Sequence, residues 1–439
     1  MTFKGQIVGA ALAASAAAIG GQPSAAQDDV FKIGVITFLS GQAAESFGVP
    51  AWNGGKVLID MLNEGGKMPA PYKQRGFGGM TVEVVLVDEA GGATKQVQEF
   101  RNLVQREEVD AVVGYVSSGD CLAIPPVADE LKAFTILYDC GTPRVFEDGT
   151  YEYVFRTAAH AAMDNVSLAK YMASRGTEVG SYAGINQDYA WGQDSWADFD
   201  GSMKQLFPDA EVKTSLFPKF GAGQYGAEVS ALLRERADVV HSSLWGGDLQ
   251  GFVLQMSARG LHDRSQIALA AGDHVIPQLQ DKMPEGIILG ARGVNGLAAF
   301  ARGGELEELT MTLWNAYTEE HGVFPVQAPF RMWQAILGLK SAVEKSMESN
   351  GGTKPTDEEL ATAMKGLSWP APSGVIEMAL AGGHQAIQPN AIGRTDWDED
   401  AGQMRLVDVE YYASRCVNPP ENMKAAEWIA AGFPGAECE

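Results

Sequence analysis

Three short stretches carry side chains suited to holding a small ligand. Ser117-Ser118-Gly119 stands where an apolar run, Val109 to Tyr115, gives way to a helical pattern. The first N–H groups of a helix lack internal partners and, with the helix dipole, favour an anion. Ser117 or Ser118 also suits capping that helix, and one residue can cap while the other binds. Cys140-Gly141-Thr142 follows a second buried-strand pattern, Ala133 to Tyr138, so it lies at the same sheet edge, as a ligand loop or an ordinary turn. Trp245 follows a third, Val239 to Leu244, and precedes Gly246-Gly247. A large aromatic beside two glycines reads as a cleft wall, where burial of apolar ligand surface is worth roughly 25 cal/mol per Å². Tyr115 is expected to point toward the same cleft.

Enzyme chemistry finds less footing. The chain has no GxSxG, no HExxH and no P-loop, and Gly290-Ala291-Arg292-Gly293-Val294-Asn295-Gly296 lacks dinucleotide spacing. Six histidines are scattered, and the suggestive cluster His241-Ser242-Ser243 falls inside a buried-strand pattern, which reads as core. An exported hydrolase is the remote alternative. Four cysteines, Cys121, Cys140, Cys416 and Cys438, include no CxxC and have no nearby histidine, so neither metal nor cofactor is expected. In an exported chain an even count suggests disulfides. Local pairing, Cys121–Cys140 and Cys416–Cys438, is the simplest of three connectivities.

The export reading rests on the first residues. Lys4 precedes an apolar run from Ile7 to Ile19, then Gly20, Gly21, Pro23 and the small residues Ser24 to Ala26. This is the pattern of a secretory signal peptide, cleaved after Ala26. The run is too short to span a bilayer, which needs roughly 20 residues. Removal leaves about 410 residues, enough for two domains. The formal net charge is −23, which argues against nucleic acid or anionic lipid as partners.

These loops need a scaffold, and the chain supplies β-loop-α units in sequence. Strand patterns at Phe31–Phe38, Thr81–Val87, Val109–Tyr115 and Ala133–Tyr138 alternate with helical ones. One long helix is expected to carry Leu122, Val127 and Leu131. The rhythm restarts after Arg156, with strands at Val179–Ile185, Glu211–Phe217, Val239–Leu244, Ile267–Ala271 and Ile287–Leu289. Long helices are expected near Leu306–Glu320 and Phe330–Met347, and a late hairpin from Gly374–Met378 with Gln388–Ile392. The fold class is therefore α/β: two Rossmann-like lobes with parallel sheets and a cleft at their carboxyl edges.

In order, these segments resemble the branched-chain amino acid type of periplasmic binding protein, the type I receptors of ABC transporters. "FKIGVITFLSG" is similar to that family's first strand and ligand loop, and "LIDMLNEGG" to the helix end that follows. "VEVVLVDEAGGATKQVQEFRNLVQREEVDAVVG", "VSSGDCLAIPPVADELKAFTIL" and "YVFRTAAHAAMDN" continue the match. "NQDYAWGQD" and "VVHSSLWGGD" keep it more loosely, over roughly residues 31 to 395. The resemblance implies two lobes joined by three hinge strands: 27–157 plus 288–350, and 158–287 plus 351–412, with 413–439 an extension. It implies closure on a small-molecule ligand and delivery to an inner-membrane ABC permease, by a monomer in the periplasm. A sensor built on the same fold is the alternative. Ser118 matches the family's carboxylate-binding serine. Cys140, Gly141 and Thr142 match its backbone and hydroxyl contacts, and Tyr189 matches an aromatic covering the ligand. A Cys121–Cys140 bridge would tie two ligand loops together or simply stabilise them. The family's acidic partner for a ligand ammonium falls at Asp273 or His274. A histidine there would suit a carboxylate or hydroxyl better, so the ligand class spans amino acids and aromatic or short carboxylates.

Overall fold

The computed structural model describes residues 1–2, 30–302 and 308–438. The expected signal peptide and its cleavage position lie outside the described residues. Alternating apolar segments and glycine-bounded helices build one sheet from β1 (Val30–Thr37), β2 (Thr81–Asp88), β3 (Ala111–Gly114), β4 (Thr135–Leu137) and β5 (Val154–Arg156), all paired in parallel. A second sheet collects β6 (Ser181–Ile185), β7 (Glu211–Leu216), β8 (Val239–Ser242), β9 (Gln266–Leu269) and β10 (Ile288–Gly290), again in parallel. Apolar runs such as Ala111–Gly114 are buried throughout, as expected for strands covered by helices on both faces.

The expected division of the late chain is corrected by strand pairing. β11 (Ser368–Ala371), β12 (Gly374–Leu380) and β13 (Gln385–Ile387) extend the first sheet, giving the order β11-β12-β13-β5-β4-β3-β1-β2. β14 (Asn390–Asp398) and β15 (Gln403–Tyr412) extend the second, β15-β14-β10-β9-β8-β6-β7. Residues 351–387 thus belong with the first sheet, and β10, expected there, belongs with the second. The late hairpin also differs. Gly374–Leu380 pairs with Gln385–Ile387, whereas Gln388-Pro389 is a crossing. Pro389 has no N–H for a ladder, and the Gln388 side chain has other partners. The helix expected through Leu122 and Leu131 is split into Ser118–Ala123 and Pro125–Leu131, because Pro125-Pro126 cannot supply interior N–H groups.

The first lobe rests on the Gln327–Asn350 helix, which packs along Val49–Glu64. Gly54 and Gly55 permit the approach: a Cβ on Gly54 would stand 2.7 Å from Pro329 Cβ. Trp333, fully buried, donates its indole N–H to the Gly54 carbonyl at 2.8 Å. Asp273 Oδ2 accepts the first N–H of this helix, from Gln327, at 2.8 Å.

The chain crosses between the sheets at 157–160, 291–295 and 388–389. Gln388 stitches these crossings. Its Oε1 accepts from Ala159 N (3.3 Å), Arg331 Nη1 (2.6 Å) and Gln334 Nε2 (3.0 Å), and its Nε2 donates to the Arg292 carbonyl (3.2 Å). Both expected disulfides are present. The C-terminal extension lays the Ala425–Ala430 helix on Ala190–Leu206, burying Trp428 and Ile429.

Cys416 and Cys438 close a loop of sequence separation 22. Replacing both by Ser is expected to lower the unfolding free energy in urea by about 3 kcal/mol. A loss below about 0.5 kcal/mol would mean that Trp428 packing holds the extension without the bridge.

Candidate functional site

The carboxyl ends of both parallel sheets face one another, as open α/β sheets place their ligand edges. Between them lies a cavity of ≈ 20 Å³. The first lobe contributes Phe47, Val116, Ser118, Asp139, Gly141 and Gln327; the second contributes Tyr189, Trp191, Trp245 and Ala271. Arg292 enters from the middle crossing. The space is about what one water needs, so anything larger requires the lobes or the aromatic side chains to move apart.

Ser118 opens the Ser118–Ala123 helix and is buried. Its Oγ accepts the Thr142 N–H at 3.3 Å, which leaves its own O–H free to donate. The loop before it is held from beneath by Glu89. This buried carboxylate accepts from Val116 N (2.9 and 3.0 Å) and Ser117 N (2.7 Å). Burial, then the neighbouring Asp120, push the Glu89 carboxyl well above its ordinary range. Burial likewise pushes Asp120 up to about 6. The two carboxyls thus both stand above the ordinary carboxylate range beneath the loop.

Arg292 is the charged centre. Its Nη1 donates to the Asp139 carbonyl (2.6 Å) and Oδ1 (2.9 Å), its Nε to Asp164 Oδ2 (3.1 Å), and its Nη2 to the Ala159 carbonyl (3.2 Å). A guanidinium has five N–H donors, so one on Nη2 remains beside Gly141. Burial disfavours its charge, but Asp139 and Asp164 hold its pKa above the usual value. Asp139 also meets Arg331 Nε at 3.4 Å. Arg292 stands over the Trp191 ring, 4.6 Å from its centroid, a cation–π contact.

Trp191 presses on Gly141: a Cβ there would clash with the indole Cζ3 and Cε3. Glycine is thus required at 141 by close approach. The indole N–H of Trp191 donates to the Ser243 carbonyl at 2.8 Å, which fixes the ring. Trp245 donates its own to Tyr189 Oη at 2.8 Å, and Phe47 meets Trp245 edge-on at 5.6 Å. Gln327 brings an amide whose Oε1 is buried without a partner. The site therefore offers donors at one end, aromatic faces on its walls and an unused acceptor.

Across the cleft mouth, Asp194 of the second lobe accepts from Thr142 Oγ1 (2.6 Å) and from Arg144 Nε (2.9 Å). On the other side Gly247 N donates to the Gln42 carbonyl at 2.9 Å. These bonds latch the lobes together.

Of the residues singled out in the sequence, Ser118, Gly141, Tyr189 and Trp245 line the cavity. Cys140 stands behind the lining, bridged to Cys121, with its carbonyl accepting from Arg156. Thr142 faces Asp194 rather than the cavity. Tyr115 does not face the cleft: it is buried among Ile36, Phe100 and Cys121 on the opposite face of β3. Asp273 is turned to Gln327 N, and burial pushes it up to about 8, so it holds a proton. His274 lies beside it, accepting Gly246 N at 2.9 Å and packing edge-on to Phe47. Neither lines the cavity. His241 is core, stacked on Phe199 at 4.2 Å and bonded to Asn165. Sequence reasoning missed Arg292, Asp139, Trp191, Phe47 and Gln327. The neighbours Tyr189 and Trp191 could have been read together, since both stand at the start of the Ala190–Leu206 helix.

The described residues contain no cluster of His, Cys, Asp or Glu able to hold a metal, and no described helix is long and apolar enough to cross a membrane. The fold is similar to a solute-binding protein of an ABC transporter from Rhodopseudomonas palustris, solved with 3,4-dihydroxybenzoic acid: 20% identity, 88% of this chain, 98% of that one, TM-score 0.73. It is similar to another from the same species, solved with 4-hydroxybenzoate: 18% identity, 88% and 98% covered, TM-score 0.74. It also resembles a leucine binding protein from Thermotoga maritima: 20% identity, 86% and 98% covered, TM-score 0.68. No curated protein matches the sequence. The family model of the periplasmic binding proteins matches residues 30–403. With two mostly parallel sheets, three crossings and a cleft between their carboxyl edges, the chain belongs to the periplasmic binding protein family, of type I fold.

Proposed function

We propose that the protein is the periplasmic ligand-capturing component of an ABC importer, and that its ligand is a small carboxylate with an aromatic body. One observation carries the ligand class. The cavity joins Arg292 and Ser118 to the aromatic walls of Phe47, Tyr189, Trp191 and Trp245, while Asp139, the only carboxylate among the described lining residues, is already held by two guanidinia. A ligand carboxylate would take the spare N–H of Arg292 and the Ser118 O–H. The ring would lie against Tyr189, Trp191 and Trp245, and a ring hydroxyl would meet Gln327 Oε1. An amino acid's ammonium would need Asp139 to release an arginine, or Asp273 to turn from its helix and lose its proton. The fold's similarity to proteins solved with hydroxybenzoates supports the same class.

Binding rather than catalysis suits this lining, which contains no histidine or cysteine. The Thr142–Asp194 and Arg144–Asp194 bonds form only when the lobes meet, so ligand trapped between them favours the closed form that a permease would read. Secretion by the signal peptide and action as a monomer complete the reading. A sensor of the same fold would share every one of these contacts, and is separated by which membrane protein the closed form engages.

Calorimetric titration tests the ligand class. 4-Hydroxybenzoate is expected to bind at one site per chain, and L-leucine not to compete. Tyr189→Ala removes a wall; loss of about 60 Å² of contact costs about 1.5 kcal/mol, roughly tenfold in Kd. Leucine displacing 4-hydroxybenzoate from its site would contradict the aromatic carboxylate reading. Asp273 supplies a second test. Its folded-state pKa of about 8 stands above the ordinary 3.8, so the stability it contributes is complete below about pH 4 and is lost as pH rises toward 8. Asp273→Asn is expected to flatten that part of the stability–pH curve and to leave 4-hydroxybenzoate affinity within about twofold. A tenfold loss of affinity would return Asp273 to the ligand.

A further inference from the structure

A second cavity, of ≈ 250 Å³, lies on the far side of the Cys140–Thr142 loop from the cleft. Its floor comes from the first lobe and the first crossing, and its roof is the C-terminal extension, residues 419–427. Arg156 and His160 form part of the floor; Phe146 and Leu380 make apolar walls; Pro420 and Met423 cover them.

Arg156 is fully buried, yet its hydrogen bonds all go to neutral oxygens. Its Nε donates to Gln385 Oε1 (2.5 Å) and its Nη1 to the carbonyls of Cys140 (3.1 Å) and Thr142 (2.5 Å). Its Nη2 is buried with no partner. Glu147 and Asp194 attract the guanidinium from a distance, but no carboxylate among the described residues is hydrogen-bonded to it, and a buried donor without an acceptor is costly. Burial and then Arg292 pull its pKa down to about 9, against the opposing pull of Glu147. His160 gives no counter-charge, because burial and Arg156 keep it neutral, near 3. The lining also carries the other sign. Glu147, whose Oε1 accepts Ala425 N at 2.7 Å, lines the cavity with Glu421 and Glu427 of the roof, both exposed, while Lys424 is turned to Asp148 at 3.0 Å.

We propose that this cavity is a second ligand site, for a small zwitterion of the amino acid type. The ligand's carboxylate takes Nη2 of Arg156, its ammonium group faces Glu147, Glu421 and Glu427, and its side chain lies on Phe146, Leu380 and Met423. The site exists because the extension covers it, which gives residues 413–438 a role beyond the fold. Arg156 also holds the two carbonyls that flank Gly141, so a ligand on Arg156 acts on a loop that also lines the cleft. By linkage, any effect of one ligand on the other is reciprocal.

The test is calorimetric titration of the full chain with L-valine, in saturating 4-hydroxybenzoate and again in the Tyr189→Ala protein, whose cleft is impaired. One valine per chain is expected in both, so the result does not depend on what the cleft binds. Met423→Trp fills the cavity from its half-buried roof and is expected to weaken valine about tenfold or more. Arg156→Met should do the same; because Arg156 is buried and could be needed for folding, Met423→Trp is the deciding variant. Isovalerate, valine without its amine, is expected to bind about tenfold more weakly. No second binding event, or valine binding untouched by Met423→Trp, overturns the site. Isovalerate binding as tightly as valine overturns the zwitterion assignment.

Discussion

Arg292 is buried against Asp139 and Asp164 at the middle crossing between the sheets, and the rest of the molecule is arranged around that ion network. Two charges taken from water recover their solvation only when their geometry and hydrogen bonds are nearly complete. Here four N–H groups of the guanidinium are satisfied by two carboxylates and two carbonyls drawn from both lobes. Asp139 follows β4 in the first lobe, and Asp164 sits in the first turn of the Ala161–Ser174 helix in the second. Removing one partner from such a network typically costs 3–5 kcal/mol, because a charge is left buried and uncompensated. The network therefore fixes where the lobes meet and leaves one cationic N–H at the cleft.

The mouth of the cleft is held differently. Asp194 reaches from the second lobe to Thr142 and Arg144, with Arg144 partly exposed. An ion pair of this kind contributes little by itself. This contrast gives the fold its mechanical character: a deep pivot that stays paired, and rim contacts weak enough to part. A ligand shifts such an equilibrium only by binding one form better than the other. Aromatic walls contributed by the second lobe and polar donors from the first and the crossing provide that difference, since both reach the ligand only when the lobes are together.

Much of this was legible in the sequence, for physical reasons that also mark the limit. Val109–Tyr115 and Ala133–Tyr138 read as buried strands because helices cover both faces of the sheet. Ser118 and Gly141 follow directly, as strand ends are where ligand edges lie. Tyr115 failed because the same strand also sends side chains to the opposite face, where Phe100 and Cys121 enclose it. Arg292 lies inside Gly290–Gly296, where glycine spacing is the only local pattern; its role arises when a crossing brings it between Asp139 and Asp164, far away in sequence. Residues 351–387 were assigned to the wrong lobe because no local pattern tells which of two sheets a late hairpin joins. Asp273 suggested an ammonium partner by position, but Gln327 N, 54 residues later, claims it.

A crystal structure grown with 4-hydroxybenzoate tests the central claim most directly. Its carboxylate is expected within hydrogen-bonding distance of Arg292 Nη2 and the Ser118 hydroxyl, with the ring against Trp191 and Trp245. A carboxylate turned away from Arg292, or a ligand bound outside the cleft, would contradict the assignment.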